Sequence, residues 1–167
     1  MYQPEEDSIL LKKYVNKLAR GKILEIGTGS GFIIKDLKNA EGVDIDKESI
    51  DYCKKQGLNV YYSNLFSKVK GKFDLIIFNP PYLPEEPNMK KHKDLFGGKH
   101  GWEIIEKFFK DVKKYLKKDG KILILFSNLT NKNKVDSVIK ENNFKFKLLE
   151  EKPIGLMERL YVYLCHQ

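Results

Sequence analysis

Apolar residues at Ile9, Leu10, Tyr14, Val15 and Leu18 recur at helical spacing and predict a helix over about 7–19. After it the period changes. Short apolar runs predict strands at "KILEIG" (22–27), "AEGVDI" (40–45), "NVYYS" (59–63), "FDLIIF" (73–78) and "KILILFS" (121–127). Helical patterns fall at "SGFIIKDLKN" (30–39), "KESIDYCKKQG" (47–57), "WEIIEKFFKDVKKYLKK" (102–118) and "NKVDSVIKENN" (133–143). Gly57 closes the second of these and "DG" the third. Two further strands are expected near 144–151 and 159–165, and a long polar loop near 83–100.

This alternation predicts an α/β fold: a mainly parallel seven-stranded sheet with helices on both faces. Only "KPIGLME" joins the last two strands, too little chain for a parallel crossover, so the last strand is expected to be antiparallel. The 167 residues make one domain, 1–167, without repeat, low-complexity block or linker.

Composition narrows the class. Hydrophobic residues make up 41% and charged residues 32%, as in globular proteins. No run approaches ~18 apolar residues, and "MYQPEEDS" lacks the basic and apolar regions of a signal peptide, so no membrane span is expected and the expected compartment is the cytoplasm. Cys53 and Cys165 read as reduced packing residues, and His92, His100 and His166 lack ligand spacing, so no metal site is predicted. The net charge of +8 suggests nucleic acid, but only Arg20 and Arg159 are arginines, and the lysines are mixed with acids along helices. A solvated lysine-rich surface accounts for the charge equally well.

Candidate chemistry starts at "LEIGTGSGF". Gly27, Gly29 and Gly31 turn the chain from the first strand, and the residue where a dinucleotide fingerprint needs a small side chain is Phe32. Glu25 precedes the turn; a pyrophosphate would be repelled by it, whereas a cationic cofactor would be attracted. Asp44 ends the next strand, where an acid can accept both ribose hydroxyls. Together these suit S-adenosyl-L-methionine. A bare turn with a capping aspartate is the alternative.

At the tip of the fourth expected strand stands "NPPY", Asn79 to Tyr82. Pro80 and Pro81 have no N–H and hold the chain stiff, so carbonyl oxygens can face a ligand. With the Asn79 side-chain oxygen they supply two fixed acceptors, one for each hydrogen of a planar –NH₂. Tyr82 offers a face for the flat group. The chemistry predicted is N-methylation of an amide or aromatic amine, with alignment as the main lever.

"YQPEEDSILL", "EIGTGSG", "VDID", "SNLF", "FNPPYLP", "GGKHGWEIIEKFF" and "GLMERLYVYL" together resemble the HemK-type protein glutamine methyltransferases, in the short eukaryotic and archaeal branch. The likeness spans essentially the whole chain. It implies a Rossmann-like class I methyltransferase fold and methylation of the glutamine amide in the Gly-Gly-Gln loop of a translation release factor. It also implies that an N-terminal helix within 1–20 covers the cofactor: Ser8, where relatives usually have threonine, would hold it, with Tyr2 and Glu6 nearby. Glu25 and Gly27 would hold its methionine end, with Gly29 also at the cofactor, Asp44 would hold the ribose, and Asn64 and Leu65 would flank adenine; relatives generally carry aspartate in place of Asn64. Asn79 would touch both cofactor and substrate, and Asn79, Pro80, Pro81 and Tyr82 would hold the glutamine.

The cofactor motif begins at residue 2, so the helical domain that precedes it in bacterial members is not expected. The short branch is paired with a small zinc-binding activator, so a heterodimer is implied. An edge strand at Val60, Tyr61 and Tyr62 is a candidate surface for that partner, although these tyrosines could equally pack inward. The loop 83–100 would meet the substrate. The "NPPY" signal is shared with enzymes that modify adenine or guanine, so an RNA or DNA amine methyltransferase is the second reading. A lysine methyltransferase or a non-catalytic subunit of the same fold is further off.

Overall fold

The computed structural model describes residues 6–81 and 100–167. Tyr2, Tyr82 and almost all of the 83–100 loop therefore lie outside the described residues. One sheet contains β1 (Ile23–Ile26), β2 (Ala40–Asp44), β3 (Val60–Tyr62), β4 (Phe73–Phe78), β5 (Leu116–Ser127), β6 (Lys145–Ile154) and β7 (Glu158–His166). The strand order is β3-β2-β1-β4-β5-β7-β6. Strands β1 to β5 pair in parallel, and β7 runs antiparallel to both β5 and β6, as the short β6–β7 connection requires.

Helices cover both faces. α1 (Glu6–Leu18) and α2 (Lys47–Lys55) bury Leu10, Leu11, Val15, Ile50 and Cys53 against Ile23, Leu75, Ile77, Leu123 and Leu125. α3 (Glu103–Val112) and α4 (Lys132–Glu141) bury Ile105, Phe108, Phe109, Val135 and Ile139 against Leu24, Ile76, Ile122, Ile124 and Phe126. Successive β5 residues thus serve opposite cores, the period-two rule of a strand buried on both sides. The helices and strands outside 82–99 include none long and apolar enough to cross a membrane as a helix among the described residues.

Two expected elements differ. The helix expected at 30–39 is a run of turns, with Lys35 N–H donating to Gly31 (3.0 Å) and Leu37 N–H to Ile34 (2.9 Å). Ile33 and Ile34 are both buried, and Asn39 takes a left-handed φ of 56° before β2. The Lys35 bond spans four residues and the Leu37 bond three, so the i→i−4 ladder of an α-helix does not propagate through the segment. The helix expected at 102–118 ends at Val112, followed by a 3-10 turn at Lys113–Tyr115, and β5 starts at Leu116. Leu116 is buried and pairs with Phe73. At Gly120 a Cβ would lie 2.8 Å from the Phe73 carbonyl oxygen, so "DG" is a close passage between strands and not a helix stop.

The order reverses between β1 and β4. The chain winds outward from β1 to β3, then returns to the other side of β1. The parallel ends of β1, β2, β3 and β4, at Ile26, Asp44, Tyr62 and Phe78, therefore surround the crevice of a doubly wound sheet.

Candidate active site

Each flank of the crevice is set by local sequence. On the β1 side, Gly27, Gly29 and Gly31 have φ of 73°, 51° and 71°, a region that disfavours side chains. Gly31 and Gly27 differ in what surrounds them. A Cβ on Gly31 would come within 2.4 Å of Leu58, whereas one on Gly27 would meet nothing within 4 Å. Gly31 is a packing glycine; Gly27 keeps its backbone open to a ligand. Gly27 and Thr28 N–H both donate to Val43 O (2.8 and 3.0 Å), which ties the turn to β2. The Cys53 thiol backs the turn from α2, 3.3 Å from Gly29 O, and both cysteines are buried and free.

Asp44, at the end of β2, accepts from Gly29 N–H (2.8 Å) on one carboxylate oxygen and from Asp46 N–H (2.9 Å) on the other. Each oxygen keeps a second lone pair for a ligand hydroxyl. Glu25 is 2% exposed and accepts from the Thr28 hydroxyl at 2.8 Å. Burial pushes its carboxyl up to about 8; the nearby Asp44 charge adds to the rise, and the Thr28 bond and Lys12 oppose it. A positive charge brought beside this buried acid would favour its ionised form and offset the cost of burial, so the site, next to an open glycine backbone, fits a cationic ligand group.

β4 supplies the other flank. Its last residue precedes Asn79, whose side-chain NH₂ donates to Asp7 Oδ2 at 3.0 Å. Asn79 Oδ1 is buried and has no hydrogen-bond partner among the described residues. Pro80 is buried behind it and Pro81 half-buried. α1 reaches both flanks: Asp7 bonds Asn79, and Lys12 donates to Phe32 O and to Asp36, both at 2.7 Å. The other side of α1 is fastened to β6, where Tyr14 and Lys13 meet Glu150, each at 2.6 Å.

Of the remaining expected residues, Ser8 is buried in the first turn of α1, next to Asp7. Glu6 is exposed, and its carboxylate lies 3.3 Å from Lys152 of β6. Asn64 is exposed and Leu65 half-buried with φ of 48°, in the turn that follows β3. Asp7, Thr28 and Ile45 were not among the expected site residues. Ile45 follows Asp44 and is 63% exposed, an apolar face at the crevice. Asp7 stands inside "EEDS", but nothing in the sequence indicates that it reaches a residue 72 positions away.

The doubly wound sheet, glycine turn, acidic strand tips and amide-bearing β4 tip define a class I methyltransferase domain. The chain belongs to the methyltransferase small domain family, whose model matches residues 5–152. It is 37% identical over 163 residues to a Methanocaldococcus jannaschii protein to which N5-glutamine methyltransferase activity has been ascribed, covering 89% of this chain and 83% of that protein. A release factor glutamine methyltransferase of Aquifex aeolicus is 32% identical over 71% of this chain, which spans 52% of that enzyme. A ribosomal RNA small subunit methyltransferase C of Buchnera aphidicola is 32% identical over 74% of the chain and 36% of its own length. Among solved structures, Mtq2 of E. cuniculi, in complex with Trm112 and responsible for methylation of the eRF1 termination factor, superposes with a TM-score of 0.82 at 22% identity, covering 99% and 98% of the two chains. A Bacteroides fragilis methyltransferase in complex with S-adenosyl-L-homocysteine superposes with a TM-score of 0.67 at 20% identity, over 93% and 76%.

Glu25 gives a pH signature. Its value in the folded chain is raised, so its contribution to stability is complete below about 4.5 and is lost as pH rises toward about 8. The loss approaches about 1.4 kcal/mol per pH unit within that window. Chemical denaturation across pH 5–8 should show this slope in the wild type and a flatter curve in Glu25→Gln. At pH 8 and above, where the Glu25 carboxyl ionises, the same variant should bind S-adenosyl-L-methionine at least about tenfold more weakly by calorimetry, because an amide cannot take on the charge that answers a cation.

Proposed function

We propose that this protein transfers a methyl group from S-adenosyl-L-methionine to the side-chain amide nitrogen of a glutamine in a translation release factor. The observation that carries the reading is the unpartnered, buried Oδ1 of Asn79. A buried amide oxygen without a donor is costly, and a substrate N–H relieves that cost. With the NH₂ of Asn79 turned to Asp7, the free oxygen would take a donor and not an acceptor, which supports the reading.

The fit of the cofactor rests on the chain's own groups. Gly27 would let its methionine end approach the backbone, the raised Glu25 carboxyl would meet its positive charge, Asp44 the ribose, and Ile45, Asn64 and Leu65 the adenine. Ser8 and α1 would close over it. When bound, this group supplies an electrophilic methyl on a sulfonium that leaves as a neutral thioether. Asn79 and the carbonyl of Pro80 would hold the two amide hydrogens and fix where the nitrogen lone pair points. One of those protons leaves to solvent after the N–C bond forms, so no general base is needed before attack. The acceptor dipoles also stabilise positive charge growing on nitrogen. Tyr82 and the 83–100 loop would complete the grip on the protein substrate, whose role in translation would place the enzyme in the cytoplasm.

A small activator protein belongs to this reading, with β3 as its seat. β3 ends the sheet with three residues and leaves Tyr62 41% exposed. The opposite edge strand, β6, is defended by Lys145, Lys147, Lys152 and a bulge near Leu148/Glu150, whereas β3 has none of these. Strand addition at β3 would cover it, and the Trm112 complex of Mtq2 supports such a partner. By the family likeness, that partner would be a zinc-binding protein. Replacing Val60 by Pro should abolish co-purification with a Trm112-like protein while the isolated chain still binds cofactor; unaltered co-purification would place the partner elsewhere.

The clamp would also accept an exocyclic amine of RNA, and the ribosomal RNA methyltransferase relative favours that second reading. Incubation with methyl-labelled cofactor separates the two. Label should appear in the release factor glutamine, with Asn79→Ala lowering the transfer rate about 10²–10³-fold while cofactor affinity stays within a few-fold. Label found only in RNA would overturn the protein substrate.

A further inference from the structure

We infer that Asp7 is a positioning residue for methyl transfer: its carboxylate fixes which end of the Asn79 amide faces the substrate. The inference rests on the reading of Asn79 given above. The two ends of an asparagine amide have nearly the same shape, and a half-turn about the side chain exchanges acceptor for donor. Presented the wrong way round, Asn79 would offer –NH₂ to a substrate –NH₂ and could not bind it. β4 fixes where the side chain starts but not which way its amide turns. Asp7 removes the ambiguity, because a carboxylate accepts and cannot donate. Only the NH₂ of Asn79 can face Oδ2, at 3.0 Å, and Oδ1 of Asn79 is then left buried and unpartnered.

A simpler role for Asp7 is to complement the positive end of the α1 dipole. Glu6 already places an exposed acid in that turn. Asp7 instead is 6% exposed, accepts from Ser8 N–H on Oδ1, and crosses to Asn79 with Oδ2. Burying a carboxylate is costly, and a role at the helix end alone would not require it. Because Asp7 rides on α1, the helix that Lys12 fastens to the glycine-turn segment at Phe32, a seated helix and a correctly turned Asn79 go together. Donation to a carboxylate also draws charge toward the amide oxygen, which strengthens it as an acceptor for the hydrogens of an N-methylating nitrogen.

The test compares Asp7→Asn, Asp7→Ala and the reciprocal double variant Asp7→Asn with Asn79→Asp. In the double variant the amide at 7 donates to one oxygen at 79 and leaves the other facing the substrate. Two readouts are taken. The first is the side-chain amide resonance of Asn79 in the protein bound to S-adenosyl-L-homocysteine, which needs no turnover. In the wild type its protons should sit downfield and exchange slowly with water; in Asp7→Asn and Asp7→Ala they should move upfield and exchange faster. The second is single-turnover methyl transfer at saturating cofactor and substrate. Each single variant should slow it by about 10–100-fold with cofactor Kd within about threefold, the range expected for a group that acts through another. The double variant should recover most of the loss. An unchanged resonance in Asp7→Asn, or wild-type transfer by folded Asp7→Asn, would overturn the inference. If the wild type methylates no release factor, the substrate reading fails, and the resonance still decides whether Asp7 sets the amide.

Discussion

The hydrogen bond from Asn79 to Asp7 joins the tip of β4 to the first turn of α1, and the candidate chemistry depends on it. It turns one end of an amide inward and leaves the other as a buried acceptor without a partner. Buried polar atoms in folded proteins are nearly always satisfied, so an orphan at the crevice of a doubly wound sheet is a demand for a ligand donor. The two prolines that follow keep that demand in place, since the segment cannot enter a ladder or relax into a helix.

A second unfavourable feature stands across the crevice. Glu25 is buried among apolar strands, with its carboxyl raised to about 8, beside Asp44 and under a turn whose Gly27 backbone is open. Near neutral pH neither feature is an asset to the fold by itself: the Asn79 oxygen lacks a donor, and the stability that buried Glu25 contributes is lost as pH rises toward about 8. The cores on both faces carry stability, through Phe108 and Ile139 on one side and Leu11 and Leu123 on the other. That division lets the strand ends hold groups that water and charge would otherwise settle. α1 connects the two flanks, since Lys12 fastens the segment after the glycine turn and Asp7 fastens Asn79.

Much of this was legible in the chain. Strand runs have period two or are continuously apolar, and β1, β2 and β4 end where the sequence changes to glycine, to acid and to Asn-Pro-Pro, so Gly27, Asp44 and Asn79 could be placed at one end of the sheet. The turn-rich segment at 30–39 was not legible, because "FIIKDL" carries a helical pattern and nothing in the sequence marks where the hydrogen-bond spacing changes from four residues to three. The early start of β5 was hidden by "KKYLKK", which fits a helix until Leu116 is seen to pair with Phe73. Asp7 is one of two acids in the first turn of α1, and nothing in its sequence surroundings sets it apart from Glu6. Its reach to Asn79 is a property of how α1 lies on the sheet, which spacing along the chain does not encode.

The most direct measurement is a crystal structure of the protein with S-adenosyl-L-homocysteine and a release factor, or a peptide carrying its glutamine. The account requires the glutamine side-chain nitrogen within about 3.2 Å of Asn79 Oδ1 and pointing at the cofactor sulfur. A glutamine nitrogen bound elsewhere, or Asn79 with its oxygen turned to Asp7, would contradict it.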